Sequence, residues 1–242
     1  MSDRDRLSAW AAGLFDGEGS ASAYVPQRRK TARRQMQISQ GGGAAHPDVL
    51  VRFRAIVGEG NITGPYRGYL YYWKTTRKGA VDEIARRLWP YLSREKRRQL
   101  QSCAEATGRT YSELRPLRES ETEIAWAAGL FDGEGSVWVT KDTRCRPEWR
   151  GVAMEIAQSS RGDIPETLER FHAIVGVGRI SGPRLLGNPW SKLPQYRWQV
   201  SGRHKVSSVV RVLWPWLSAV KRSQLREMCP HLDPDLDLSY RR

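Results

Sequence analysis

Apolar and polar positions alternate along this chain with two different periods, and the switches between them outline one unit repeated twice. Over residues 7–16, Leu7, Trp10 and Leu14 recur at i, i+3 and i+7, which predicts a helix with one apolar face. Ala9, Gly13 and Gly17 recur every fourth residue on another face. Small residues at that spacing let two helix backbones approach closely. Gly17 and Gly19 are expected to end this helix. Period-2 alternation predicts strands over 20–25, 35–40, 61–65 and 69–76. Helices are expected over 48–57, 79–92 and 93–105, the last two separated near Pro90. The unit therefore reads α-ββ-α-ββ-α-α, an α+β fold with an antiparallel sheet.

The same order of segments returns in the second half. AWAAGLFDGEGS occupies both 9–20 and 125–136 without a single difference. MQISQ (36–40) is answered by MEIAQ (154–158), FRAIVGEGNITGP from Phe53 by FHAIVGVGRISGP from Phe171, and LWPYLSREKRRQL from Leu88 by LWPWLSAVKRSQL from Leu213. The chain is a tandem duplication, with units at 1–106 and 123–242. A polar, charged connector over 107–122 reads as a surface linker.

Charge narrows the partners. The 242 residues carry 40 Lys+Arg against 26 Asp+Glu, a net charge of +14, and 32 of the basic residues are Arg. Arg is the better partner for phosphate and for guanine edges, so a polyanion is the expected partner. No apolar run approaches the ~20 residues of a membrane helix, and acids among the first charges make the start a poor signal peptide. Cys103, Cys145 and Cys229 are odd in number and widely spaced, giving neither a disulfide framework nor a zinc pattern. The expectation is a protein that is not secreted, working in a cytoplasm, a nucleoid or an organelle, with no membrane partner.

The repeated helix carries the chemistry. If the Ala9/Gly13 and Ala125/Gly129 faces pack together, both helices end in Asp-Gly-Glu-Gly at one end of the axis, and Glu18 and Glu134 emerge side by side. Two adjacent carboxylates repel unless protonated or bridged by cations. In a strongly basic chain this points to a divalent metal, with phosphodiester hydrolysis as the reaction two such metals would serve.

AAGLFDGEG resembles the LAGLIDADG motif of the homing endonucleases, and with two copies the chain resembles the single-chain, two-motif branch. The resemblance implies tandem duplicated αββαββα LAGLIDADG subdomains forming a pseudo-two-fold saddle with antiparallel sheets. It implies a monomeric, site-specific double-strand DNA endonuclease acting at a long asymmetric target and leaving short 3′ overhangs. Metal would be held by Glu18 and Glu134, with the backbone at Gly17 and Gly133 beside them. Mg²⁺ is the expected cofactor, with Mn²⁺ able to substitute and Ca²⁺ binding without cleavage. Gln40 and Gln158, at the ends of the MQISQ and MEIAQ strands, take the place of a residue that positions a metal-site water. Lys96 and Lys221 take the place of a basic residue near the scissile phosphates, and a one-residue uncertainty keeps Arg97 and Arg222 as alternatives.

A major groove admits a two-stranded ribbon, and strand residues of one parity should face it. In the first unit that set is Ser20, Ser22, Tyr24, Arg28, Lys30, Arg33, Gln35, Gln37, Asn61, Thr63, Tyr72, Lys74 and Thr76. In the second it is Ser136, Trp138, Thr140, Glu155, Arg179, Ser181, Arg197, Gln199 and Ser201. The basic loops 27–35 and 141–150, the latter with Arg144 and Arg146, are expected to grip backbone phosphates. Trp10, Trp89, Trp126 and Trp214 repeat at apolar helical positions, and Trp73 and Trp198 have the opposite strand parity, so all six read as core. Two other roles fit the same fold: an RNA maturase that binds intron RNA, and a non-cleaving DNA-binding regulator. Carboxylates in both motifs favour the nuclease.

Overall fold

Helix α1 (Asp3–Glu18) begins where Ser2 closes a capping box with Asp5, which satisfies two backbone N–H groups at the helix start. Its residues Ser8–Asp16 are buried without a break, as in a helix packed on all sides. The computed structural model describes residues 2–27, 31–43, 45–111, 114, 116–141, 150–185 and 193–228. Contacts divide the chain into two units, Met1–Gly133 and Glu134–Arg242, so that all but the last residue of the second motif helix falls with the first unit.

Unit 1 continues with β1 (Gly19–Tyr24), β2 (Arg33–Gly41), α2 (Asp48–Val57), β3 (Asn61–Tyr66), β4 (Leu70–Thr75), α3 (Lys78–Leu88), a single 3-10 turn at Trp89–Tyr91, and α4 (Arg94–Glu105). The helix expected to run from 79 to 92 stops at Leu88, because Pro90 enforces the tighter turn. Gly17 does not end α1. The helix runs on to Glu18, and Gly19 caps it in an extended conformation that leads straight into β1. The four strands form an antiparallel sheet in the order β1-β2-β4-β3. Ala21, Met36, Ile38, Tyr71 and Trp73 lie on its buried face, beneath the helices. Phe53 of α2 meets Trp73 edge to face at 4.7 Å. The Gly-x-Gly turn of the repeat exists for that tryptophan. Gly60 takes φ +93°, and a Cβ there would lie 2.4 Å from the Trp73 ring nitrogen, which donates to the Glu59 carbonyl at 2.9 Å.

The second motif helix, α5 (Ser120–Glu134), packs on α1 through its residues up to Gly133. A Cβ on Gly13 would sit 1.9 Å from the Trp126 carbonyl oxygen, and one on Gly129 would sit 1.9 Å from that of Trp10. The two backbones are in direct contact at the small-residue positions. Reciprocal hydrogen bonds flank the contact: Trp10 Nε1 donates to Asp132 and Trp126 Nε1 to Asp16, both at 2.8 Å.

Before α5, one described connector residue is a buried side chain pinned into unit 1. Tyr111 is 1% exposed; its hydroxyl donates to Asp82 at 2.7 Å and accepts from Arg34 at 2.8 Å. Arg34 and Arg109 pair with the same carboxylate at 2.7 and 2.9 Å. Arg34, one of the basic residues of the 27–35 loop expected on phosphate, is therefore 5% exposed and spent inside the unit. Burial alone would raise the Asp82 carboxyl, but hydrogen bonds from Tyr111 and Arg34, with the charges of Arg34 and Arg109, hold it below its ordinary 3.8. Burial and the bond to Asp82 push the Tyr111 hydroxyl up to about 12. A carboxyl held low stabilises the fold above its unfolded pKa, and that contribution fades as pH falls through the folded value. Asp82→Asn is thus expected to be less stable than the parent at pH 7, with the gap narrowing below about pH 4. Urea unfolding at pH 7 and pH 3 checks this, and an unchanged gap would contradict it.

Unit 2 repeats the plan with β5 (Gly135–Lys141), β6 (Arg150–Ser159), α6 (Glu166–Val175), β7 (Arg179–Arg184), β8 (Gln195–Ser201), α7 (Arg203–Leu213), a 3-10 turn at Trp214–Trp216, and α8 (Ala219–Met228). Its antiparallel sheet has the order β5-β6-β8-β7. Val152, Met154, Ile156, Tyr196, Trp198 and Val200 form its buried face. Phe171 meets Trp198 at 4.8 Å as Phe53 meets Trp73. Among the described residues, no helix is long and apolar enough to cross a membrane.

Candidate nucleic-acid interface and motif ends

Strand register sets the chemistry of each open sheet face. In unit 1, Ser20, Ser22 and Tyr24 pair with Gln37, Gln35 and Arg33, Gln37 pairs on with Lys74, and Lys74 and Tyr72 pair with Asn61 and Thr63. Residues directly opposite share a face, so these side chains stand together, all half-buried or exposed. Thr76 follows one residue beyond β4 and is exposed. The open face also holds Ser39, opposite Tyr72, which the alternation starting from Met36 could have supplied.

In unit 2, Ser136, Trp138 and Thr140 pair with Glu155, Ala153 and Gly151. Glu155 pairs on with Gln199 and Ala153 with Ser201, while Arg179 and Ser181 stand opposite Gln199 and Arg197. Trp138, Ala153, Arg179, Gln199, Ser201 and Lys205 line a recess on this face. Lys205 comes from α7 and Gln195 from the first position of β8; neither was foreseen, although Gln195 has the parity of Arg197. Arg28, Lys30, Arg144 and Arg146 lie outside the described residues.

The end of each motif helix gathers the other candidates. In unit 1 the Gln40 amide donates at 3.4 Å both to Glu18 Oε1 and to the Gly133 carbonyl oxygen. A carboxylate oxygen and a backbone oxygen therefore converge on one polar nitrogen. Gly17 lies in the last turn of α1, immediately before Glu18. Lys96 donates its ammonium to the Gly19 carbonyl, one residue past Glu18, and lies 5.4 Å over the Phe15 ring. Arg97 instead turns back to the Leu92 carbonyl at 2.8 Å.

Unit 2 matches this in its lysine and differs in its glutamine. Lys221 is 9% exposed and donates to the Gly135 carbonyl at 2.7 Å, one residue past Glu134, while Arg222 turns to the Pro215 carbonyl. Gln158 accepts from Thr167 at the start of α6, a bond that Gln40 cannot form because Val49 occupies the matching place. Among the described residues, no group of three or more His, Cys, Asp and Glu is placed to hold a metal ion.

The first acid of each motif has a role the sequence did not reveal. Asp16 and Asp132 are 6% and 4% exposed. Asp16 accepts from the Ser93 backbone N–H at 2.9 Å, the Ser93 hydroxyl at 2.7 Å and Trp126. Ser93 in turn caps α4 through Lys96 N at 3.2 Å. The carboxylate thereby fixes the helix start from which Lys96 reaches Gly19. The signal was the Ser shared by LSREK and LSAVK, three residues before each lysine.

No protein-family model matches the chain, and no curated protein matches it in sequence. Solved structures do match. The LAGLIDADG meganuclease I-AabMI bound to uncleaved DNA superposes with a TM-score of 0.67 at 16% identity, over 96% of this chain and 92% of that one. The LAGLIDADG homing endonuclease I-GzeII in complex with its DNA target gives 0.63 at 13%, over 97% and 92%. I-SmaMI, bound to an uncleaved DNA target in the presence of calcium ions, gives 0.57 at 13%, over 94% of each chain. The fold is that of the LAGLIDADG homing endonucleases. This chain is a tandem-duplicated form of it, with AAGLFDGEG at the end of both α1 and α5.

Proposed function

We propose that this chain is a member of the LAGLIDADG homing-endonuclease family and a site-specific endonuclease of double-stranded DNA. The observation that carries the proposal is the conjunction at the motif ends. Each motif glutamate is followed by a carbonyl that holds a lysine ammonium, and the same units present polar side chains, of the kinds suited to base edges, on an open sheet face. The donor set suits a hard divalent cation. Glu18 Oε1 and the Gly133 carbonyl both lie within 3.4 Å of the Gln40 amide nitrogen, and Mg²⁺ needs only one or two carboxylates, the remaining sites being water and phosphate. Glu18 and Glu134 would hold the metal, with the backbone at Gly17 and Gly133.

When bound, Mg²⁺ supplies charge that lowers the pKa of a coordinated water and neutralises a leaving oxygen. The chain's own residues do the rest. Gln40, and on the other strand Gln158, orients the attacking water by hydrogen bonding. Lys96 and Lys221, held in place by the Gly19 and Gly135 carbonyls, put positive charge beside the reacting phosphate. The two open faces differ in composition, so each reads a different half of a long, asymmetric target. Short 3′ overhangs are the expected product.

A protein carrying net charge +14 and neutralising six phosphates should lose about 10³-fold in affinity between 50 and 200 mM salt. A titration of duplex binding against salt checks this, and a flat response would contradict the basic interface.

A further inference from the structure

Among the described residues, the open face of the unit 2 sheet carries one carboxylate, Glu155, on a surface otherwise built from Arg, amide, hydroxyl, aromatic and small side chains. A carboxylate that meets phosphates is unfavourable by like-charge repulsion, so its presence calls for a compensating role. Glu155 stands on the inner strand β6 directly opposite Gln199. Its Oε2 accepts from Gln199 Nε2 and, at 3.5 Å, from Arg197 NH1. Its side chain is 15% exposed against 31% for Arg197, so the acid sits deeper in the face than the cation it holds. Arg197 is tied on its other side, Nε donating to Gln195 Oε1 at 2.8 Å. At the matching place in unit 1, Gln37 faces Lys74, and there is no acid.

We infer that Glu155 is a positioning residue that sets the base preference of the unit 2 sheet, holding Arg197 for a guanine and Gln199 for an adenine. The inference rests on the proposed DNA-endonuclease function. An amide can rotate by half a turn and exchange its donor with its acceptor, and the acceptor beside Gln199 Nε2 fixes which way it points. That leaves Oε1 and one N–H, the acceptor–donor pair that adenine N6 and N7 require. Arg197 keeps three of its five N–H groups after its bonds to Glu155 and Gln195, enough for guanine O6 and N7. Residues two apart on a strand are separated by about 7 Å. The two bases therefore lie within about two steps of each other.

The test is a binding selection from randomised duplexes in Ca²⁺, run on the full chain and on R197A, Q199A, E155A and E155Q, with thermal midpoints measured alongside. R197A and Q199A should each flatten preference at one position. E155A should flatten both, by about tenfold each, and leave the rest of the profile intact. E155Q should restore the adenine position alone, because its carbonyl oxygen still accepts from Gln199 while the charge pairing with Arg197 is gone. Three results would overturn the inference: an unchanged E155A profile, whatever its thermal midpoint; a uniform loss of affinity; or loss of a cytosine preference at a third position, which would place Glu155 itself on a base. Failure of the parent chain to enrich any sequence would instead overturn the endonuclease reading on which the inference stands.

Discussion

Gly13→Ala should lower the thermal midpoint by roughly 6–12 °C, and Gly129→Ala should do the same. The added Cβ would fall 1.9 Å from the carbonyl oxygen of Trp126 or of Trp10. Overpacking a core costs about 1–3 kcal/mol where side chains can rotate away. Here the obstacle is backbone, so the upper end applies. For a chain of this size each kcal/mol moves the midpoint by about 2–4 °C. The contact is also flanked by the Trp10–Asp132 and Trp126–Asp16 hydrogen bonds, so pushing the helices apart lengthens both. Gly79→Ala is the control. Gly79 lies in α3 with no atom within 4 Å of an added Cβ, and the change should be neutral or stabilising by up to ~1 kcal/mol. Circular dichroism melts decide the matter, and equal midpoints for Gly13→Ala and Gly79→Ala would contradict the close helix packing.

Glu18→Gln and Glu134→Gln should each abolish double-strand cleavage while changing DNA affinity by less than about tenfold, or ~1.4 kcal/mol. The substitution keeps shape and one accepting oxygen but removes the negative charge on which a bound divalent cation would depend. Glu18 is half-buried at the end of α1, beside the Gln40 amide, so a neutral amide fits there without disturbing the helix. Under the proposed function the sheet faces and their basic residues would supply affinity, so it should survive. The readout is plasmid linearisation beside a gel-shift titration in Ca²⁺. Full cleavage by either variant would remove that glutamate from the chemistry.

Much of this architecture could be read from the chain because its signals are local or repeated. Strand parity separated Ser20, Gln37 and Lys74 from Ala21, Met36 and Trp73, because a one-residue slip would invert every side chain. The i, i+4 run of Ala9 and Gly13 pointed to close helix packing because small residues at that spacing let two backbones approach. Long-range polar partners left no such trace. Arg34 shares the inward parity of Met36, yet its charge suggested phosphate. The partner that makes its burial tolerable, Tyr111, lies 77 residues away. Nothing local in the motif marks the partners of Asp16, whose bonds go to Ser93 and Trp126. The Glu155 cluster was legible as positions on a face but not as a bonded group, since bonding depends on side-chain depth.

A cleavage selection tests site-specific DNA cleavage by this chain. The chain is incubated with a pool of randomised duplexes in Mg²⁺, with a Ca²⁺ control, and the new ends are sequenced. The new ends should converge on one long asymmetric sequence, in Mg²⁺ only, with a short 3′ overhang. The contradicting result is a duplex pool left intact in Mg²⁺ by a folded protein that binds it.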